Sequence, residues 1–193
     1  MRRLIPALVF LLPSLATADF PHPTPGEVAV RDVPGSNRHW QEARSIVDAP
    51  PETVKHWIAD VEYWPARFHD VKETRVISRT GNKMRVFVKS SIMHDLTLDV
   101  EVKDDGVFYS ANDPHVKAWG RIFITPTADG RTDVIMQTAA NVTGFIGMLA
   151  PKGIIRDRER DKLTSDLTDL NHLARSHRAA RRPPPPGRRA ENP

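Results

Sequence analysis

Apolar and polar residues alternate with a period of two through the middle of this chain. The cleanest run sets Leu96, Leu98, Val100 and Val102 against Thr97, Asp99, Glu101 and Lys103, the pattern of a strand with one buried and one wet face. Met84, Val86 and Val88 alternate with Arg85, Phe87 and Lys89 just before it. Further strands are predicted over residues 71–78, 107–111, 116–125 and 132–142. In the last of these, Val134, Met136, Thr138 and Ala140 share one side and Asp133, Ile135, Gln137 and Ala139 the other. Thr80-Gly81-Asn82, Asp104-Asp105-Gly106, Asn112-Asp113-Pro114 and Ala128-Asp129-Gly130 supply the turns. The pattern predicts a long antiparallel meander.

Helical spacing brackets the meander. Residues 40–48 read as a first strand stopped by Pro50-Pro51. Pro51 and Glu52 suit a helix start, and Val54, Trp57, Ile58 and Val61 recur every three or four residues. Pro65 is expected to break that helix, with Tyr63, Trp64 and Phe68 in a short second helix or turn. Near the C-terminus, Leu163, Leu167, Leu170 and Ala174 form one apolar stripe of a long helix. The loop before it reads Gly144-Phe145-Ile146-Gly147-Met148-Leu149-Ala150-Pro151. A long helix laid over a curved sheet, with an apolar loop at its entrance, predicts a cavity beneath it.

Three segments resemble the START-like, helix-grip superfamily of lipid-transfer domains, polyketide cyclases and coenzyme Q-binding proteins. They are residues 43–54 (Ala-Arg-Ser-Ile-Val-Asp-Ala-Pro-Pro-Glu-Thr-Val), the stretch from Asp60 through Trp64-Pro65, and Gly120-Arg121-Ile122-Phe123-Ile124-Thr125-Pro126 with the later glycine-rich loop. The resemblance spans roughly residues 40–175. It implies an α+β fold: a curved antiparallel sheet wrapped around a long C-terminal helix, with two short helices after the first strand. It also implies a lipid, sterol, quinone or polyketide-like ligand in an internal cavity.

Composition changes this picture at the two ends. The chain has 193 residues and no cysteine, so it is long enough for one domain, and disulfides and thiolate chemistry are excluded. Arg2 and Arg3 precede a short apolar run over residues 4–15 and then Ala16-Thr17-Ala18. This predicts a signal peptide over residues 1–18 cleaved before Asp19, and a periplasmic or secreted protein. Residues 19–38, rich in proline, are expected to be an extended lead-in. The domain is expected over residues 39–177 and a disordered Arg/Pro-rich tail over residues 178–193. The formal charge is +4, but the leader and the tail account for more than that, leaving the body at about −2. The basic balance therefore belongs to the tail, and nucleic acid is not an expected partner. Transient contact with a membrane surface is, and the chain is expected to be a monomer.

Strand phase names the ligand-binding candidates. Met84, Val86, Val88, Leu96, Leu98, Val100 and Met136 face inward, and Trp64 and Phe68 join them from the short helix. Phe145, Ile146, Met148 and Leu149 form a lid hinged at Gly144 and Gly147. Trp119, Arg121 and Phe123 share one strand face. Arg121 either holds a ligand's carboxylate or hydroxyl inside, or lies outside with its stem over the aromatics, and Asp133 is its expected cross-strand partner. The charged run over residues 156–162 reads as a solvated helix face. No catalytic dyad emerges: His94-Asp95 points to opposite faces, and Asp113-Pro114-His115 is a turn. No metal ligand set, cofactor fingerprint or nucleophile motif is present. The reading is a carrier of a hydrophobic small molecule. A cyclase or dehydratase in the same cavity is the first alternative, and an interaction protein acting through its tail the second.

Overall fold

The computed structural model describes residue 20 and residues 22–33, 40–91, 95–114, 116–142 and 152–181. The predicted leader, the lid residues Phe145, Ile146, Met148 and Leu149, the histidines His94 and His115 and the chain beyond Arg181 lie outside these residues.

The sheet is built from β1 (Ala29–Asp32), β2 (Gln41–Val47), β3 (Val71–Thr80), β4 (Lys83–Ser90), β5 (Leu96–Lys103), β6 (Gly106–Asn112), β7 (Val116–Pro126) and β8 (Thr132–Val142). The helices are α1 (Pro51–Ala59), α2 (Trp64–Arg67) and α3 (Lys152–Arg181). Every neighbouring pair is antiparallel, in the order β1-β2-β8-β7-β6-β5-β4-β3. Strands β3 to β8 are successive hairpins, and β2 returns to pair with β8. This is the expected curved sheet around a long terminal helix, with two short helices after the strand at β2. Register stacks the inward residues across strands: Val86 faces Leu98, Leu98 faces Ala111, and Ile122 faces Met136.

Helix α3 runs about 45 Å at 1.5 Å per residue and lies over β2, β8 and β1. Leu163, Leu167, Leu170 and Ala174 are buried against the sheet. Full burial of each leucine stabilises by about 1.5–3 kcal/mol. Asn171 donates to Ser45 Oγ at 3.0 Å, and Ser45 donates to the Glu27 carbonyl at 2.6 Å, so one polar chain ties helix, sheet and N-terminal segment together. The α1–α2 corner is held by Arg67, which donates to the Trp57 carbonyl at 2.9 Å and the Asp60 carbonyl at 3.3 Å, satisfying carbonyls at the α1 end.

Three expectations about the ends and breaks are corrected. The lead-in carries β1, which pairs with the edge of β2 and is followed by proline only at Pro34; its Val28 and Val30 pack on the core. The predicted tail starts too early, because α3 continues through Arg181 and Arg178 pairs with Asp48. Basic residues suit the last turn of a helix. Pro65 opens α2 near its N-terminus, and α1 has already ended at Ala59.

Candidate ligand cavity

A cavity of about 460 Å³ lies between the inner face of the sheet and the first half of α3. Its apolar wall comes from every layer. Ile58, Trp64 and Phe68 close one end from the helical corner, Val71, Val88, Leu96 and Leu98 come from β3 to β5, and Val116, Ala118, Ile122, Met136, Ala140 and Val142 from β7 and β8. Ile154 and Ile155 face it from α3, and Ile154 remains half exposed.

Of the sequence candidates, Trp64, Phe68, Val88, Leu96, Leu98 and Met136 line this space. Met84, Val86 and Val100 are buried but lie outside its lining. Met84 and Val86 precede Val88 on β4, and Val100 follows Leu98 on β5, toward the turn that joins β3 and β4. Trp119, Arg121 and Phe123 are on the opposite, outer face. Arg121 stacks on the Trp40 ring at 4.8 Å, and Phe123 meets Phe108 edge-on at 5.7 Å. Asp133 is not the partner of Arg121: it holds Arg44 at 2.5 Å, while Arg121 stands opposite Gln137. An outer groove of about 510 Å³ runs past Trp40, Phe108, Trp119 and Arg121 and is edged by Lys83, Arg85, Asp99 and Glu101.

One end of the cavity is polar. Lys162 of α3 grips Asp166 at 2.5 and 2.8 Å and reaches Asp70, before β3, at 3.1 Å. Ser90 donates to Asp70 at 3.4 Å. Asp70 is fully buried, while Lys162 and Asp166 keep a little surface toward the hollow. Burial pulls the Lys162 ammonium down, but Asp166 and Asp70 outweigh it and hold the group above its usual range. Burial pushes Asp166 up, against the pull of Lys162. Tyr109 of β6 faces the same end, hydrogen-bonded with Thr138, its phenol raised by burial. Its ring lies flat on Gly120: a Cβ there would stand 1.8 Å from the ring carbon bearing the hydroxyl. The glycine of the β7 motif is therefore the seat of a tyrosine.

Glu159, one turn before Lys162, also lines the cavity. Its carboxyl accepts a hydrogen bond from the Ala140 backbone, while Oε1 is buried without a partner. Burial pushes its carboxyl up to about 7. The solvated-face expectation for residues 156–162 is thus corrected at Glu159 and Lys162. The stripe of Leu163, Leu167 and Leu170 continues backward along the helix, but where the helix faces the hollow it presents Glu159, Lys162 and Asp166 together with the apolar Ile154 and Ile155. Outside the cavity, Ser165, His69 and Asp169 cluster on the surface. His69 Nδ1 meets both Asp169 at 2.9 Å and Ser165 at 3.1 Å, so the carboxylate and the hydroxyl compete for one nitrogen. The cluster staples α3 to the loop before β3 instead of forming a proton relay. No set of residues arranged to hold a metal occurs among the described residues.

The sequence matches no protein-family profile and no curated protein. Solved structures do match. The Zhui aromatase/cyclase of a Streptomyces species superposes with a TM-score of 0.61 at 17% identity, covering 79% of this chain and 98% of its own. A STAR-related lipid transfer protein of Xanthomonas axonopodis gives 0.58 at 19% identity, covering 77% and 92%. Human StAR-related lipid transfer protein 5 gives 0.58 at 15%, covering 78% and 82%.

The fold is the START-like helix grip. Within this fold the apolar cavity wall was readable from strand phase, whereas Asp70, Tyr109, Glu159, Lys162 and Asp166 were missed. A signal for three of them was present: Glu159, Lys162 and Asp166 recur at the spacing that carries Leu163, Leu167 and Leu170 inward. Gly120 opposite Tyr109 was the other, since a strand glycine marks a close approach.

Proposed function

We propose that this protein binds a hydrophobic small molecule of lipid, sterol, quinone or polyketide type in the cavity under α3. One observation carries the reading: a hollow of about 460 Å³ walled by apolar side chains from eight elements, within the range of small-molecule sites. Lipid-transfer proteins and polyketide cyclases share the fold, which supports the ligand class. Binding draws on buried ligand surface at about 25 cal/mol per Å². Organic extraction of purified protein, read by mass spectrometry, and uptake of a fluorescent apolar probe test it. Absence of any co-purified guest together with no uptake overturns it. The leader-like residues 1–18 support export to the periplasm, with Asp19 as the mature N-terminus on N-terminal sequencing; an intact Met1 in the processed fraction refutes this. The domain acts as a monomer, and the basic tail touches anionic membrane surfaces during loading.

A second reading, a cyclase or dehydratase, is favoured by one feature. Titratable groups converge at the polar end, where Lys162, Asp166 and Asp70 lie within bonding reach and Tyr109 and Glu159 adjoin them. A buried carboxylate there would serve as acid or base. Conversion of a linear poly-β-ketone into a cyclised or dehydrated product, followed by chromatography, separates an enzyme from a carrier.

A further inference from the structure

The cavity wall holds one unmet polar demand. Lys162 has its ammonium protons committed to Asp166 and Asp70, Ser90 donates to Asp70, and the Tyr109 hydroxyl is engaged with Thr138. Among the described residues, Glu159 is the cavity-lining side chain with a buried polar atom left without a partner. Leaving such an atom unsatisfied is unfavourable, and a guest that satisfies it gains both affinity and orientation. With Glu159 protonated, the deep end holds Asp70 and Asp166 against Lys162, whose ammonium is already committed to both, while Arg158 is exposed on α3.

We propose that Glu159 is the specificity-determining residue of this cavity: its Oε1–H donates a hydrogen bond to the carbonyl oxygen of a neutral, otherwise apolar guest, and the matching carboxylate is turned away by the cost of desolvating its charge among apolar walls where Lys162 is already paired. This rests on the reading that the cavity takes an apolar guest, and it names the polar group that guest carries. A carbonyl accepts and cannot donate, so it binds only the protonated acid. Burial lifts the Glu159 carboxyl to about 7, which places the change of donor state near neutrality. The groups facing it are Arg158, Lys162 and Asp166 of its own helix, Tyr109 from β6, Asp70 at the entrance of β3, and the Ala140 backbone of β8. Asp166, also raised by burial, is the competing titration that the test must separate.

The probes are a neutral acyl-dimethylaminonaphthalene ketone, whose emission reports hydrogen bonding to its carbonyl, the same fluorophore carrying a carboxylate in place of the ketone, and the parent naphthalene without either. Full-length mature protein is titrated with each. Ketone affinity is expected to weaken about tenfold from about pH 6 to about pH 8, the ratio of protonated fractions a unit either side of about 7. The hydrogen-bonded emission should fade over the same range. The parent naphthalene should bind with no pH dependence, and the carboxylate roughly tenfold or more weakly than the ketone at about pH 6. Glu159→Gln keeps a donor at every pH, so it should bind the ketone with a flat profile. Glu159→Ala should bind ketone and naphthalene alike. A flat ketone profile in the unaltered protein, a pH dependence that persists in Glu159→Gln, or a carboxylate that binds as tightly as the ketone overturns the assignment while the cavity reading stands. Failure of all three probes to enter removes the cavity reading and the assignment together.

Discussion

Lys162 reaches out of α3 to Asp70 at 3.1 Å, while one helical turn further on it holds Asp166 at 2.5 Å. One cation thus joins the terminal helix to the start of β3 and compensates two carboxylates in the protein interior. Such a group stabilises little relative to an apolar replacement of the whole cluster, but its removal alone leaves charges stranded.

Replacing Lys162 by Met tests that asymmetry. The loss should be about 3–5 kcal/mol in urea unfolding at neutral pH, because Asp70 and Asp166 are left unpaired. The deficit should shrink on acidification, as the stranded carboxylates take up protons. Replacing all three residues by apolar ones should recover most of the stability. A single substitution costing under about 1 kcal/mol would place the cluster in the class of weak surface pairs.

Glu159 imposes a pH dependence of opposite sign to that of an ordinary paired carboxylate. Its folded pKa of about 7 lies above its ordinary 4.5, so between these values the folded state binds more protons than the unfolded state. Stability contributed by the protonated acid is therefore full below about 4.5 and is lost as pH rises through about 7. Glu159→Gln should raise Tm relative to the parent at about pH 8 and leave it nearly unchanged at about pH 5. Equal shifts at both values, by differential scanning calorimetry, would show that Glu159 is not the group responsible.

Gly120 and Tyr109 form a cross-strand pair in which one residue makes room for the other. A Cβ at position 120 meets the tyrosine ring at 1.8 Å. Gly120→Ala should therefore push the ring off the strand and into the cavity, at about 1–3 kcal/mol, and reduce probe uptake. Combining it with Tyr109→Ala should cost less than the sum of the two single changes, because the clash disappears. Additive costs would mean that the ring does not rest there.

The fold was legible because burial follows phase. Leu98 and Ile122 point inward for the same reason that Thr97 and Arg121 point outward, and Leu163, Leu167 and Leu170 needed a sheet to cover. The cavity was half legible. Trp119, Arg121 and Phe123 looked attractive for their size and chemistry, yet their register partners Ala139, Gln137 and Ile135 belong to the outer side of β8. The inner face at that place carries Ala118 and Ala140, small residues where a hollow has to be left, and Gly120, which seats Tyr109. Asp70 could not be anticipated, since its meeting with Lys162 depends on how a helix crosses a sheet some ninety residues away in sequence. Glu159 was obscured by its charged neighbours, which read as a wet surface when taken as a run.

Those small residues give the most direct test of where the guest sits. Ala118 lines the cavity from β7, with Ala111 and Ala140 opposite it on either side, so a large side chain there grows into free space instead of into packed neighbours. Ala118→Trp should fill much of the volume and bury additional apolar surface. Tm should hold steady or rise, because filling an apolar void is stabilising where no strain is forced. Uptake of an apolar fluorescent probe should fall by at least about tenfold, equivalent to about 1.4 kcal/mol of binding free energy. The paired readout matters, since a loss of uptake with a falling Tm would reflect a damaged sheet, and the smaller Ala118→Leu would then be used to narrow the cavity without that damage. Full uptake in a stable Ala118→Trp protein would move the binding site out from under α3, with the aromatic groove of Trp40, Phe108 and Trp119 the place to look next.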